Sequence, residues 1–272
     1  MAKATGYQLP TSRPHVMGIL NVTPDSFSDG GRHNAIDAAL THAQAMIDEG
    51  ADILDIGAES TRPGAEAVSL DDEWTRLDPI LAPIAEMGVP VSIDTYKAEI
   101  ARRACAAGAV IVNDVWGLQK DPAMAETVAE AGVHVVMMHN RLAADPDIDI
   151  LSDIDRFFEK SLGLADKAGI VREKQILDPG FGFGKTVDQN FVILNRFETL
   201  KKHGLPILAG ASRKRMIGAV LNVETDDRLN GSLAVHMTSL LKGAAIVRAH
   251  DVGPHVDCVR MLEATFLERT PS

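Results

Sequence analysis

The chain has 272 residues, 46% of them hydrophobic, enough to bury one large core or two ordinary ones. Lys+Arg 27 against Asp+Glu 38 gives a net charge of -11, which excludes a general nucleic-acid or anionic-membrane surface and confines any anion binding to a local cluster. No apolar run is long enough to span a bilayer, and Met1 to Pro14 lacks the apolar centre of a secretory signal, so a soluble, cytoplasmic protein is expected.

Residues 1–14 read as an N-terminal extension and residues 15–272 as one domain. Short β-branched or apolar runs recur there, each followed by a helix-like segment. Strands are expected at Val16 to Val22, Asp52 to Ala58, Val89 to Asp94, Val110 to Val115, His134 to His139, Gln175 to Asp178, Pro206 to Gly210 and Ala245 to His250. Helices are expected at Ala35 to Glu49, Asp71 to Met87, Lys97 to Ala107, Pro122 to Ala131, Asp153 to Ala168, Asp188 to His203, Arg228 to Lys242 and Val252 to Leu267. Several end at a glycine such as Gly50, Gly88, Gly132 or Gly204. No Gly-rich nucleotide turn follows the first strand, which favours a closed (β/α)8 barrel over an open doubly wound sheet, and the length suits a barrel of about 250 residues.

Some apparent motifs lead nowhere. Gly180-Phe-Gly-Phe-Gly-Lys-Thr186 has its first glycine one residue too close to Gly184-Lys185-Thr186 for a phosphate-binding loop. His134 and His139, five apart on a strand, point to opposite faces and make a poor zinc pair. Cys105 and Cys258 lack metal spacing and read as small buried hydrophobes in a reducing compartment. Ser69 with Asp71, Asp72 and Glu73 reads as a helix N-terminal cap.

In such a barrel the chemistry comes from the C-terminal ends of strands. Here those ends carry Asn21, Glu59 to Gly64, Asp94, Asn113-Asp114, His139, Asp178 to Gly184, Gly210 to Arg215 and Arg248-Ala-His250. Any single Asp or Asn can serve as a turn cap. Several charges around one mouth, however, need a ligand or partner to compensate them. Arg62, Lys214, Arg248 and His250 suit a phosphate or diphosphate. Asp94 and Asp178, with Asn113 between their strands, suit the N–H groups of a flat, guanidine-like heterocycle, and both carboxylates are also open to interior ion pairing with Lys214.

With these residues assembled, the sequence from Val16 to Leu267 resembles the dihydropteroate synthase family of pterin-binding barrels. The likeness rests on Gly18-Ile-Leu-Asn-Val-Thr-Pro-Asp-Ser-Phe-Ser-Asp-Gly-Gly31, Glu59-Ser-Thr-Arg-Pro-Gly-Ala65, Ser92-Ile-Asp-Thr95, Asn113-Asp-Val115, Asp178-Pro-Gly-Phe-Gly-Phe-Gly-Lys185, Ser212-Arg-Lys214 and Arg248-Ala-His250, in that order. It implies a transferase that condenses a dihydropterin pyrophosphate with p-aminobenzoate. Asp94, Asn113, Asp178 and Lys214 would hold the pterin, with Arg248 along its face. Arg248's head would meet the diphosphate together with Asn21, Arg62 and His250, and Asn21 would also touch the accompanying magnesium. Thr61, Arg62, Pro63, Phe183 and Ser212 would frame the p-aminobenzoate.

Chemistry is expected to fall on Lys214, Arg248, Asp94 and Asp178, with pyrophosphate leaving ahead of arylamine attack and no side-chain nucleophile. Phe27 and its neighbours are expected to close over the reacting centre. The resemblance also implies a homodimer packed through the last helices, and sulfonamides as inhibitors. Asn140 to Asp149 departs from the family's loop and receives no contacts, while Trp116 reads as packing or as a pocket wall. Two rivals share the barrel: a pterin-binding methyltransferase, which needs no diphosphate cations, and a pterin-binding protein without turnover.

Overall fold

The computed structural model describes residues 7–10, 13–22, 31–59 and 68–269. Within them run β1 (His15–Asn21), α1 (Gly31–Asp48), β2 (Ile53–Gly57), α2 (Leu70–Ala85), β3 (Val91–Asp94), α3 (Ala98–Ala106), β4 (Ile111–Asp114), α4 (Met124–Ala131), β5 (His134–Met138) and α5 (Ile150–Ala168). Then follow β6 (Gln175–Asp178), α6 (Val187–Asn195), β7 (Leu208–Ala209), α7 (Arg215–Leu221), α8 (Leu229–Leu241), β8 (Ile246–Ala249) and α9 (Val252–Leu267). The strands pair in parallel in the order β6-β5-β4-β3-β2-β1-β8-β7, and a parallel bridge between Leu177 and Ile207 closes the ring. The expected (β/α)8 barrel is therefore the fold observed.

Strand side chains alternate between two cores. Met17, Ile53, Ile111, Val136, Ile176, Leu208 and Ile246 form the apolar layer inside the barrel. The opposite faces, such as Val16, Leu54, Val112 and Val247, pack against the helices. Close approach explains Gly18 on that outer side: a Cβ there would stand 2.9 Å from the Met46 sulfur and 3.0 Å from Val252. Tyr7 and Leu9 join the inner layer, and the Tyr7 ring meets His134 edge-on where β5 begins. The described part of residues 1–14 thus plugs the barrel's N-terminal end instead of hanging free of it.

Local sequence sets the helix starts. Ser69 caps α2 by accepting from the Asp72 N–H, as its neighbours indicated. Thr186 and Gln189 form a reciprocal capping box on α6, which is the role of the residues that mimic the end of a phosphate loop. One expected helix is divided: α6 stops at Asn195, and Phe197–His203 tightens into 3-10 turns. That geometry puts residues three apart on one face, so Phe197 and Leu200 both reach the core. β7 is shorter than expected, and α7 arises in a stretch read as loop.

Candidate active site at the barrel mouth

Four polar residues of the inner site each follow an inner-layer residue by two positions, so the pleat turns both inward. Asp55 follows Ile53, Asn113 follows Ile111, Asp178 follows Ile176 and Arg248 follows Ile246. Asp94 stands in register with Asn113 on the neighbouring strand. Arg248 donates from Nε to Asp55 Oδ2 at 2.6 Å and from Nη2 to Asp94 Oδ2 at 2.7 Å, and Asn113 Nδ2 donates to the same Asp55 oxygen at 3.0 Å. Asp55 Oδ1 and Asp94 Oδ1 are buried with no protein hydrogen-bond partner among the described residues, leaving acceptors in hand. Asp55 was missing from the sequence-based site.

Burial, opposed by Arg248 and reinforced by Asp55, pushes the Asp94 carboxyl up to about 7. Asp178 is pushed to about 6, again mainly by burial, although its Oδ1 accepts the Gly180 N–H at 2.7 Å. The interior ion pairing expected between Asp94 and Lys214 is corrected: the cation bonded to Asp94 is Arg248. The Lys214 ammonium lies 4.1 Å from the Phe183 ring centre, a cation–π contact, while its charge still favours ionised Asp94 and Asp178. The head of Arg248, expected at a diphosphate, is turned inward onto the carboxylates.

Above this layer opens a cavity of about 1090 Å³, whose lining includes Asn21, Asp94, Phe183, Ser212, Lys214, Arg248 and His250. Asn113 and Asp178 are buried just beyond that lining. Gly210 keeps the space near Asp178 open, since a Cβ there would stand 3.7 Å from Asp178 Oδ2. His250 is not the cation the sequence suggested. Burial and the charge of Arg248 push its imidazole down to about 4, so it is neutral near pH 7. Ser212 Oγ accepts the His250 backbone N–H at 3.2 Å and meets Nδ1 at 3.0 Å. If Ser212 donates to Nδ1, the ring proton sits on Nε2 and His250 remains a neutral donor.

Thr61, Arg62, Pro63 and Phe27 lie outside the described residues. The two ends of the first three residues' loop are visible. Lys97 Nζ donates to Glu59 Oε2 and to Val68 O, both at 2.6 Å, and also to Glu73 Oε2, while the Val68 N–H donates to Glu59 Oε1. Glu73 is therefore more than a cap residue: it is buried beneath this ammonium, a role its place in the helix-start pattern hid.

A second lysine secures the loop after β6. Lys185 Nζ donates to the carbonyls of Gly180, Phe183 and His139 at 2.8, 3.0 and 3.3 Å, and burial pushes its ammonium down to about 7. Gly180 sits at φ 67° with no room for a side chain, because a Cβ would come within 2.1 Å of the His139 oxygen. His139 faces Asp153 and Phe157, and His134 faces Tyr7, so the two share no ligand geometry. Among the described residues, no group of three or more His, Cys, Asp or Glu could hold a metal ion. Cys105 and Cys258 are unpaired and only partly buried, less enclosed than expected.

The sequence model of the family described as "Pterin binding enzyme" matches residues 17–250. Dihydropteroate synthase of Bacillus subtilis is 48% identical over 250 residues, covering 92% of this chain and 87% of its own. The Escherichia coli K12 enzyme is 45% identical over 272 residues, covering 97% and 95%. Among solved structures, dihydropteroate synthase of Clostridium difficile in the presence of pteroic acid superposes with a TM-score of 0.91 at 46% identity, covering 94% of this chain and 98% of that one. The Xanthomonas albilineans enzyme in complex with 7,8-dihydropteroate gives 0.89 at 40%, covering 97% and 98%. The Yersinia pestis enzyme in complex with a sulfonamide drug gives 0.90 at 44%, covering 96% and 98%. With its strand ends carrying the matching residues, the chain belongs to the pterin-binding enzyme family, among the dihydropteroate synthases, which are transferases on this barrel.

Proposed function

We propose that the barrel mouth joins 6-hydroxymethyl-7,8-dihydropterin pyrophosphate to p-aminobenzoate, and that the layer of Asp94, Asn113 and Asp178 holds the pterin. The observation that carries this reading is the flat guanidinium of Arg248 seated on Asp55 and Asp94. A guanidinium presents parallel N–H groups in one plane, and so does the aminopyrimidinone edge of a pterin. Pterin binding exchanges one planar donor for another, and Arg248 swings outward along the ring face to the diphosphate.

Asn21, Arg62, Arg248 and His250 then hold the diphosphate, His250 as a neutral donor. Thr61, Arg62, Pro63, Phe183 and Ser212 frame the arylamine. The bond from the pterin methylene carbon to the diphosphate oxygen breaks first, its electron pair leaving with pyrophosphate. The arylamine nitrogen next forms the new C–N bond and loses a proton. Lys214 and Arg248 stabilise the departing charge, and the ionised carboxylates stabilise the pterin cation left behind.

A magnesium ion fits these residues only as a diphosphate-borne ion. Mg²⁺ keeps several waters and takes few protein oxygens, and the Asn21 amide at the cavity wall supplies one. When bound, it supplies charge neutralisation on the leaving group.

A homodimer through the last helices is supported by the apolar residues Leu241, Met261, Phe266 and Leu267 exposed on α8 and α9. Sulfonamides compete at the p-aminobenzoate site, as the drug bound to the Yersinia pestis relative suggests. No helix among the described residues is long and apolar enough to cross a membrane, and a cytoplasmic location suits the two unpaired thiols. The test mixes the protein with the pterin pyrophosphate, magnesium and p-aminobenzoate and follows pyrophosphate. Amine-dependent release is expected; release equal with and without the amine, or none, overturns the reading.

A further inference from the structure

Two buried histidines on the outer helices bond to the backbone of two strand-end loops at once. His236 projects inward from α8 and His255 from α9, and both are fully buried. The Ala211 N–H donates to His236 Nε2 at 2.9 Å. His236 Nδ1 meets His255 Nε2 at 2.8 Å, and His255 Nδ1 meets the Asp251 carbonyl at 2.6 Å. One proton arrangement satisfies the whole chain. Because His236 Nε2 accepts, its proton sits on Nδ1 and is donated to His255 Nε2, whose own proton on Nδ1 is donated to Asp251 O. Burial pushes both imidazoles below their ordinary value, so both stay neutral, as the chain requires.

The ends of this chain flank the rim. Ala211 precedes Ser212, and Asp251 follows His250, the two side chains that meet over the cavity. Between Ser212 and Lys214, Arg213 is held at φ 55°, a left-handed conformation that strains a residue with a side chain. The same inner stripe of α8 secures it: Ser232 Oγ, one turn before His236, accepts the Arg213 N–H at 2.9 Å, and Arg228 donates to the Arg213 carbonyl at 3.1 Å. On the outside, Arg213 clasps Asp251 through two hydrogen bonds. The loops after β7 and β8 are thus tied twice, once by an ion pair and once by the imidazole chain.

We propose that His236 and His255 are positioning residues, a neutral imidazole relay that fixes the loops after β7 and β8 in register so that Ser212 holds His250, and His250 and Lys214 face the diphosphate together. The proposal rests on the reading of the rim as a diphosphate site. It extends that site to two residues that carry no strand-end signal in the sequence.

The test uses the full-length protein. Nitrogen-detected NMR of histidine-labelled protein should show His236 and His255 as neutral Nδ1–H tautomers; Nε2–H on His236 would overturn the relay whatever the enzyme does. His236→Leu leaves the Ala211 amide buried without an acceptor, and pyrophosphate binding with magnesium, read by calorimetry, should weaken about tenfold, with kcat/KM for the pterin substrate falling alike. His236→Gln, which restores an acceptor near that point, should recover most of the loss. Adding His255→Leu to His236→Leu should cost little more, because one chain is broken only once. A folded His236→Leu protein with wild-type pyrophosphate affinity, or equal damage in His236→Leu and His236→Gln, overturns the proposal. Should His236→Leu fail to fold, the Gln variant and the tautomers decide. A wild-type protein with no amine-dependent turnover counts against the enzyme reading alone, since tautomers and pyrophosphate binding are read without the amine.

Discussion

Inside the barrel, Ile53, Ile111, Ile176 and Ile246 stand two residues before Asp55, Asn113, Asp178 and Arg248 on the same inward faces. Roughly one strand repeat, about 7 Å, separates an apolar floor from a layer of buried charge. The floor gains stability from burial alone and is sealed by Tyr7 and Leu9. The layer above takes carboxylates out of water, which raises the protons' hold on Asp94 and Asp178, and Arg248 opposes that rise and compensates the charge. Substitutions in the floor should therefore change folding and spare binding, whereas those in the ionic layer should change binding, and folding only where a charge is stranded.

The largest effect is expected where the layer loses its cation. Arg248→Ala leaves Asp55 and Asp94 side by side without the cation bonded to both and should cost about 3 to 5 kcal/mol of stability, read as a lower urea midpoint. A loss below about 1 kcal/mol, the range of an exposed pair, would place Arg248 outside that network. In the floor, Ile111→Ala should cost roughly 2 to 5 kcal/mol while pterin affinity stays within about twofold of wild type. A large affinity loss there would erase the division between floor and site.

Asp94→Asn probes binding instead. With its carbonyl oxygen turned to Arg248, the amide would place a donor where the free Oδ1 now accepts, so pterin affinity should fall by about 1.5 to 3 kcal/mol in a calorimetric titration. Equal affinity would remove Asp94 from the pterin contacts.

The same carboxyl also sets a pH trend. Asp94, raised to about 7, keeps in the folded state a proton that the unfolded chain gives up near pH 4. Its contribution to stability is thus full below about pH 4 and is lost as pH rises through about 7. Compared with wild type, Asp94→Asn should gain relative stability as pH rises from about 4 to about 7, measured as paired urea midpoints. A difference flat across that range would show that Asp94 titrates as an ordinary surface carboxyl.

The barrel and most strand ends were legible in the sequence because β/α periodicity and strand termini are local signals. Asp55 was not, since it lies inside the run Ile53-Leu54-Asp55-Ile56 and not at its end, although a lone charge in a buried strand is itself a signal. The charge state of His250 could not be read, because burial beside Arg248 decides it. Nor could the His236–His255 contact, formed between two helices whose own patterns say nothing of their crossing. α7, only seven residues long, offers too short a period to stand out from a loop.

A crystal structure with 6-hydroxymethyl-7,8-dihydropterin pyrophosphate and magnesium bound tests the central claim most directly. The account predicts the pterin ring on the layer of Asp94, Asn113 and Asp178, directly above Ile111 and Ile176, with the Arg248 head released from Asp55 and Asp94 and turned to the diphosphate. A ring bound elsewhere, with Arg248 still closed over both carboxylates, would contradict it.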